Sequence, residues 1–264
     1  MDTHIKEVLF QIEREYEVKI LYACESGSRT WGLASKNSDY DVRFLYIHKL
    51  DWYLSIDSYR DVIELPNHDS LSIPIHPSID MSGWELTKAL RLFRKSNPPM
   101  LEWLQSNIIY YQSYSTINKM RSLENEIFSS TALIHHYVNM AKRNLKNYLL
   151  EQNVKIKNYF NVLRPILSAK WVQTYQTIPP VQFDRLMSTL VPKSPLREDI
   201  LELVHQKQSG RELETVPQVK TIHYFLEQEI KEIELYVKTL SKQQTDPTPL
   251  LNNIFRETLY EAWN

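Results

Sequence analysis

The glycine–serine pair Gly27-Ser28 is the feature of this sequence that most constrains its fold. Residues 18–24 before it are apolar and partly β-branched, which is typical of a β-strand. A turn from a strand into a helix directs free backbone N–H groups, and the positive end of the helix, at whatever lies in front of it. We therefore expect this turn to bind an anion, and phosphate is the natural occupant.

Two carboxylates follow the turn closely. Asp39 and Asp41 begin a second strand-like segment that continues to Ile47. Because alternate residues of a strand face the same side, we expect both carboxylates on one face of the sheet. A hard divalent cation would relieve their repulsion, and Mg2+ bound to a nucleoside triphosphate fits best. An isolated Asp-Tyr-Asp is more typical of a solvated turn, but the upstream turn favours a metal site.

Together these segments resemble the signature of a known superfamily. Glu25-Ser-Gly-Ser-Arg-Thr-Trp-Gly32, followed by Ser38-Asp-Tyr-Asp-Val-Arg43, is similar to the motif of the DNA polymerase β superfamily of nucleotidyltransferases. More narrowly, the chain resembles a bacterial and phage branch that is found beside RNA ligases and proposed for RNA repair. This closer resemblance covers most of the chain and rests on Gly83-Trp84, Asn97-Pro98, Glu102-Trp103-Leu104, Lys157-x-Tyr159 and Arg164-Pro165.

The resemblance implies a reaction and a set of site residues. The reaction is metal-dependent transfer of a nucleotidyl group from a nucleoside triphosphate to a hydroxyl, with release of pyrophosphate. Asp39 and Asp41 would hold two Mg2+ ions, with Mn2+ as the alternative metal. Asp80 would be the third catalytic and metal-binding carboxylate, which serves the attacking hydroxyl. The residues implied in nucleotide binding are Gly27, Ser28, Arg29, Ser38, Arg43, Lys157 and Arg164.

The third carboxylate has alternatives in the sequence. Ser82 and Glu85 have the spacing of a capping box, which predicts that a helix begins there and that Asp80 ends a strand. Asp80 would then either complete the site or only lie near a helix N-terminus, where negative charge is favoured. Glu64 and Asp69 are the other candidates.

The remaining pattern predicts an α+β fold in two domains. We expect a polymerase-β-like nucleotidyltransferase domain at 1–108, a small mixed sheet with flanking helices, and an all-helical substrate- and nucleotide-binding domain at 109–264. Strands are predicted at 18–24, 40–47, 61–66 and 78–81, and helices at about 3–16, 27–34, 82–95, 100–105, 116–150, 154–176, 181–190, 196–208, 217–242 and 248–263.

Basic side chains are concentrated in the predicted second domain. Residues 142–170 contain seven Lys or Arg and one acid, Glu151. A domain that faces a phosphate site needs such charges to neutralise triphosphate or an RNA backbone. Lys157 and Arg164 are seven residues apart and therefore near one helical face, while the rings of Tyr159 and Phe160 could stack on a base. A solvated helix face is the alternative for about half of the seven.

Composition limits the other functional classes. The chain has 264 residues, 42% of them hydrophobic, and a formal net charge of -1, so it lacks the overall basicity of an obligate nucleic-acid coat. Its single cysteine, Cys24, excludes an internal disulfide and is expected to be buried. No apolar stretch is long enough to span a membrane, and we expect a cytoplasmic protein.

The acceptor is the part of the function that the sequence leaves open. The resemblance favours an RNA end, whereas the near-neutral charge leaves a small-molecule acceptor, as in antibiotic-adenylating (aminoglycoside-type) relatives, or a protein acceptor. A further alternative is a non-catalytic nucleotide-binding or regulatory protein on the same fold. The intact Asp39 and Asp41 argue against that alternative.

Overall fold

The computed structural model describes residues 1–149, 151–240 and 246–264. They form two compact units. The first consists of Met1–Thr30, Asp39–Ile127 and the C-terminal helix, and the second of Trp31–Ser38 and the described part of residues 128–244. The compact units have other bounds than the predicted domains 1–108 and 109–264, and residues 109–112 pair with the strand at residues 18–25 in the first unit. The division into those two domains stays a prediction.

The first unit contains a mixed five-stranded sheet, so the chain has the predicted α+β class. The strand order is β3-β4-β2-β1-β5; β2 and β4 are parallel and the other neighbours antiparallel. The strands are β1 (Val18–Glu25), β2 (Tyr40–His48), β3 (Val62–Leu65), β4 (Ile79–Glu85) and β5 (Ile109–Gln112). This arrangement is consistent with a polymerase-β-like fold.

Helices make up most of the remaining described structure, and the periodicity of the sequence predicted many of them. They are α1 (Asp2–Glu15), α2 (Gly27–Thr30), α3 (Leu50–Tyr53), α4 (Leu86–Arg94), α5 (Pro98–Leu104), α6 (Thr116–Ser122), α7 (Glu124–Ile127), α8 (Ser130–Tyr148), α9 (Ile156–Tyr175), α10 (Phe183–Leu190), α11 (Pro195–Gln206), α12 (Lys220–Val237) and α13 (Thr248–Trp263). No helix within the described ranges is long and apolar enough to cross a membrane.

One face of the sheet packs on α1. Its residues Ile5, Val8 and Ile12 recur at helical spacing and are fully buried. They belong to the same apolar cluster as Val42 and Phe44 of β2. Because alternate residues of β2 enter this core, Asp41 and Arg43 face the opposite side of the sheet.

The predicted capping box at Ser82 and Glu85 is wrong. Strand β4 continues to Glu85, and α4 begins only at Leu86. Glu85 is itself the N-cap residue: its buried carboxylate accepts a hydrogen bond from the Thr87 backbone N–H at 2.7 Å. Strand pairing is responsible, because Arg43 to Tyr46 of β2 pair with Ser82 to Glu85 of β4.

The second unit packs around α9. Ile156, Tyr159, Phe160 and Leu163 are buried, and the helix continues through Pro165. The prediction of an all-helical C-terminal domain is wrong, because β6 (Asn153–Lys155) and β7 (Thr215–Pro217) form a two-stranded antiparallel sheet. Three-residue strands carry too little alternation to be recognised beside long helices.

The predicted helix 116–150 is divided into α6, α7 and α8. The break before α8 has a local cause, since the Ser129 hydroxyl accepts a hydrogen bond from the Ala132 backbone N–H and caps the new helix. The predicted helix ends at 150 and 242 lie outside the described residues. The short helix after Gly27 ends at Thr30 rather than near residue 34.

Candidate active site

Arg43 joins two of the predicted catalytic carboxylates. Its Nη2 donates to Asp41 Oδ1 at 3.0 Å and to Asp80 Oδ2 at 2.7 Å. Its Nη1 donates to the backbone carbonyls of Val42 and Asp80, at 3.0 and 3.1 Å. The parallel register of β2 and β4 explains this arrangement, because Asp41 lies directly opposite Asp80.

These three side chains are partly shielded from solvent. The exposed fraction is 18% for Arg43, 32% for Asp41 and 43% for Asp80. A guanidinium that makes four hydrogen bonds in such a place is held firmly. Arg43 therefore fixes the separation and orientation of the two carboxylates.

The three predicted carboxylates share one electrostatic environment. The pKa of Asp41 is raised mainly by burial; Arg43 opposes the rise, and the negative charges of Asp80 and Asp39 add to it. Asp39 itself is exposed and lies just before β2. Asp41 is thus the least exposed of the three, and a cation placed there would favour its ionised form.

The glycine–serine turn lies directly against Asp41. Gly27 has a φ of +60°, and a Cβ at this position would lie 2.1 Å from Asp41 Oδ2. The Ser26 backbone N–H also donates to the Asp41 carbonyl at 2.8 Å. Only glycine permits both this backbone conformation and this close approach. The glycine–serine turn and the Asp41 carboxylate, which are separated in sequence, are therefore adjacent in space.

Glu25 is a buried carboxylate behind the site that the sequence interpretation did not include among the site residues. Its Oε1 accepts a hydrogen bond from the Asp41 backbone N–H at 2.9 Å, and its Oε2 accepts one from the Tyr110 hydroxyl. Burial raises the pKa of Glu25. The available signal was weak: a single acid at the end of a continuous apolar segment.

Arg29 lies beside the start of β2. Its Nε donates to the Asp39 carbonyl at 3.1 Å, and its guanidinium stacks over the Tyr40 ring at 3.8 Å from the centroid. Ser28 is half-buried in the same short helix α2. Arg29 therefore braces the segment that carries Asp39.

The other predicted nucleotide-binding residues, Ser38, Lys157 and Arg164, belong to the second unit. The Ser38 hydroxyl accepts a hydrogen bond from the Ser35 backbone N–H at 2.9 Å and so stabilises its own turn. Lys157 is exposed at the start of α9. Arg164 is buried, with its guanidinium 4.3 Å from the centroid of the Trp31 ring.

The alternative third carboxylates are engaged elsewhere. Arg60 donates to both oxygens of Asp69, at 3.0 and 2.9 Å, and to Glu64 at 2.6 Å. Glu64 lies on the edge strand β3, opposite Ser82. The two alternative candidates thus share Arg60 with each other, whereas Asp80 shares Arg43 with Asp41, the predicted metal ligand.

The residues present fit a hard divalent cation. Oxygens of Asp41 and Asp80 already converge on one positively charged nitrogen, and carboxylate oxygens are the ligands that Mg2+ prefers. Nowhere in the described part of the chain do three or more His, Cys, Asp or Glu side chains form a ready metal cluster. The arrangement therefore resembles a two-carboxylate site, with Asp39 close enough to act on it electrostatically.

A small mixed sheet, a glycine–serine turn after its first strand and carboxylates on its parallel neighbours define a member of the DNA polymerase β superfamily. Within that superfamily the chain belongs to the RNA repair pathway DNA polymerase beta family, RlaP, whose profile matches residues 1–257. The chain is also 48% identical over 263 residues to the uncharacterized protein YcgL of Bacillus subtilis (strain 168), with 100% of this chain and 98% of that protein covered.

Proposed function

We propose that this protein is a Mg2+-dependent nucleotidyltransferase that transfers a nucleotidyl group from a nucleoside triphosphate to a hydroxyl at an RNA end. The observation that carries the proposal is the convergence of Asp41, Asp80 and the Gly27 turn. Two carboxylate oxygens approach one arginine nitrogen, and the turn packs against Asp41 so closely that no side chain fits between them. Family membership supports the reaction class.

The proposed roles follow from the position of each side chain. Asp39 and Asp41 are the ligands of two Mg2+ ions, with Asp80 as the third metal-binding carboxylate. When bound, the metal supplies positive charge to the phosphates and lowers the pKa of the attacking hydroxyl. Asp80, the most exposed member of the Arg43 cluster, accepts the proton of that hydroxyl. Arg43 holds Asp41 and Asp80 together at a fixed separation and orientation.

Nucleotide binding is assigned to the turn and to basic side chains. The backbone of Gly27-Ser28, together with the Ser28 hydroxyl, binds the β- and γ-phosphates, and Arg29 adds positive charge beside them. Lys157, exposed on the second unit, remains the first candidate there for binding a phosphate, either of the triphosphate or of the RNA. Arg164 and Ser38 act less directly, because one stacks on Trp31 and the other stabilises a turn.

A non-catalytic nucleotide-binding protein is the second candidate function. One observation favours it: the guanidinium of Arg43 supplies the positive charge between Asp41 and Asp80 that a metal ion would otherwise supply. A protein that only binds nucleotide needs no further cation there. A catalyst requires that the carboxylates also bind Mg2+.

The test is a transfer assay with separate binding controls. The protein is incubated with Mg2+ and each labelled nucleoside triphosphate, with short single-stranded RNAs, with aminoglycosides or alone. We expect label on RNA and a loss of at least about 100-fold in the variant Asp39→Ala with Asp41→Ala. The control is Asp61→Ala, which removes an acid paired with Lys88 in the same unit.

Each outcome has a separate meaning. Transfer that survives the double substitution would sink the site assignment. Label on aminoglycoside or on the protein itself would replace the RNA acceptor while keeping the reaction. Tight triphosphate binding without transfer to any acceptor would support the non-catalytic alternative.

A further inference from the structure

A polar pocket in the second unit lies at the junction of α8, α9 and the two-stranded sheet. Its volume is about 460 Å3, and it is lined by residues from the end of α8, the start of α9 and both strands. This volume lies within the usual range for small-molecule sites and suits one nucleotide. All of its lining residues belong to one compact unit, so the pocket is complete within it.

The two lysines of this pocket differ from two other lysines of the same basic segment, Lys142 and Lys170. Lys142 and Lys170 form ion pairs with Glu234 and Glu229. By contrast, Lys155 and Lys157, which line the pocket, have no ion-pair partner in the ranges that the structure describes. Glu151 is the one acid in the lining, so the pocket is net positive. Its positive charge is available to an anionic ligand.

Side-chain amides are the second feature of the pocket. Asn147, Asn153, Asn158 and Asn161 all line it. The part of the chain that the structure describes supplies no hydrogen-bond partner for these four side chains. An amide presents a donor and an acceptor side by side, which is the pattern that base edges and ribose hydroxyls require.

The local fold explains why the lysine and asparagine side chains of the pocket face outward rather than into the protein. Val154 is buried, so its strand neighbours Asn153 and Lys155 face outward. The first backbone N–H groups of α9 are not the binding groups, because those of Ile156 and Lys157 donate to the carbonyls of Glu214 and Glu212 at 3.0 Å. Recognition would depend on side chains.

Tyr148 adds an aromatic surface at the rim. Tyr148 is the last residue of α8 and lines the pocket, and 39% of it is exposed. Its ring is therefore accessible to a ligand. Stacking on an aromatic ring is the usual way in which proteins bind an unpaired base. A duplex would not present a base in this way, because its bases are stacked on each other.

We propose that this pocket binds one nucleotide of a single-stranded RNA, with Lys155 and Lys157 on the phosphates, the asparagine amides on the base and ribose, and Tyr148 stacked on the base. This inference deepens the proposed function and rests on it for the assumption that the strand is the acceptor. An acidic peptide would match the lysines, and its backbone could pair with the amides, but it would leave the Tyr148 ring without a base to stack on.

The test measures RNA binding separately from transfer. Fluorescence anisotropy of a labelled ten-nucleotide single-stranded RNA is recorded with the full chain, without metal or triphosphate, at several salt concentrations. Lys155→Gln with Lys157→Gln should weaken binding by about 10- to 100-fold and reduce the salt slope by about 1.4, since each phosphate contact on a single strand contributes about 0.7. Tyr148→Ala should weaken it by about 5- to 100-fold. The control with the same charge change is Lys193→Gln with Lys231→Gln, two exposed lysines outside the pocket.

The outcomes distinguish this inference from the proposed function. RNA binding that depends on the pocket, without any transfer, would leave the inference standing and overturn the proposed acceptor. If the native protein transferred label to RNA, and the pocket variants bound RNA as tightly as the native protein, the proposed RNA-binding pocket would be overturned and the proposed nucleotidyl transfer would stand. Equal weakening by the control pair, or equal affinity for duplex RNA, would also overturn the proposed pocket. Unchanged circular dichroism and melting temperature establish that each variant is folded.

Discussion

The carboxylate of Glu25 accepts a hydrogen bond from the backbone N–H of Asp41 at 2.9 Å, and thereby ties the end of β1 to the start of β2. Its second oxygen accepts from the Tyr110 hydroxyl of β5. One buried side chain thus joins three neighbouring strands beside Asp41, the proposed metal ligand. Asp41 is positioned through its backbone by Glu25 and through its carboxylate by Arg43.

Glu25→Ala should destabilise the protein by roughly 2–4 kcal/mol, because it leaves the Asp41 N–H and the Tyr110 hydroxyl buried without an acceptor. Glu25→Gln should cost much less, since the amide oxygen still accepts from Asp41. Urea unfolding gives the two free energies, and triphosphate turnover should follow the same order. Equal stability of the two variants would mean that the hydrogen bond to Asp41 has no structural role.

Gly27→Ala should abolish most activity. The φ of +60° costs a residue with a Cβ about 1–2 kcal/mol, and the added carbon would lie 2.1 Å from Asp41 Oδ2, so the carboxylate must move. A displacement of this size at a reacting group can cost about 100-fold in rate.

Gly32→Ala is the matched control for this substitution. Gly32 also has a positive φ, +75°, but a Cβ there would meet no atom within 4 Å. Both variants should therefore lose similar stability in thermal unfolding, and only Gly27→Ala should lose transfer activity. Comparable activity of the two would show that the turn does not need to approach Asp41.

Arg43→Met should make folding stability dependent on magnesium. Without the guanidinium, Asp41 and Asp80 repel each other, and we expect a loss of roughly 1–3 kcal/mol because the cluster is only partly buried. Mg2+ would replace the missing charge, so it should raise the melting temperature of this variant more than that of the native protein.

Arg60→Met provides the comparison for the magnesium effect. It removes the arginine that neutralises Glu64 and Asp69, a second pair of acids bridged in the same way. Its melting temperature should show no added response to Mg2+ if the metal site is at Asp41 and Asp80. If Mg2+ raised the melting temperature of Arg60→Met more than that of Arg43→Met, the third metal-binding carboxylate would be Glu64 or Asp69 rather than Asp80.

The sequence predicted the elements that carry the site better than it predicted their boundaries. Strands β1 and β2 were expected within one residue of their ends, because apolar and β-branched residues are continuous there. The strand predicted for β4 ended too early, at residue 81, because Ser82 and Glu85 have the spacing of a helix N-terminal capping box. The missing information is tertiary: a Cβ at Gly83 would lie 2.1 Å from the Phe44 ring, which shows how closely β4 approaches the neighbouring strand.

The same limit applies to the site residues. Spacing alone brings Asp39 and Asp41 close together, but the position of Asp80 opposite Asp41 follows from the parallel register of β2 and β4. Register between strands so far apart in sequence depends on what each face buries, and a single sequence does not reveal it. For the same reason Glu25 looks like an ordinary charged residue until β5 is known to lie beside it.

His48 at the end of β2 should make the first unit sensitive to acid. Its ring stacks on Trp52 at 4.3 Å between centroids, and burial lowers the pKa of His48 to about 4. The unfolded chain binds this proton near pH 6.5, so the folded state should lose stability as the pH falls from about 6.5 towards 4. Allowing for solvent screening, we expect a loss of about 1–2 kcal/mol.

His48→Phe keeps an aromatic ring on Trp52 but cannot be protonated, so it should remove this part of the acid sensitivity. The comparison is the change in urea midpoint between pH 7.5 and pH 5, measured for the native chain, for His48→Phe and for His68→Phe, whose side chain is 66% exposed. The native chain and His68→Phe should lose stability to a similar extent, and His48→Phe should lose less. An equal loss in all three would mean that the folded protein accommodates the charged imidazolium beside Trp52.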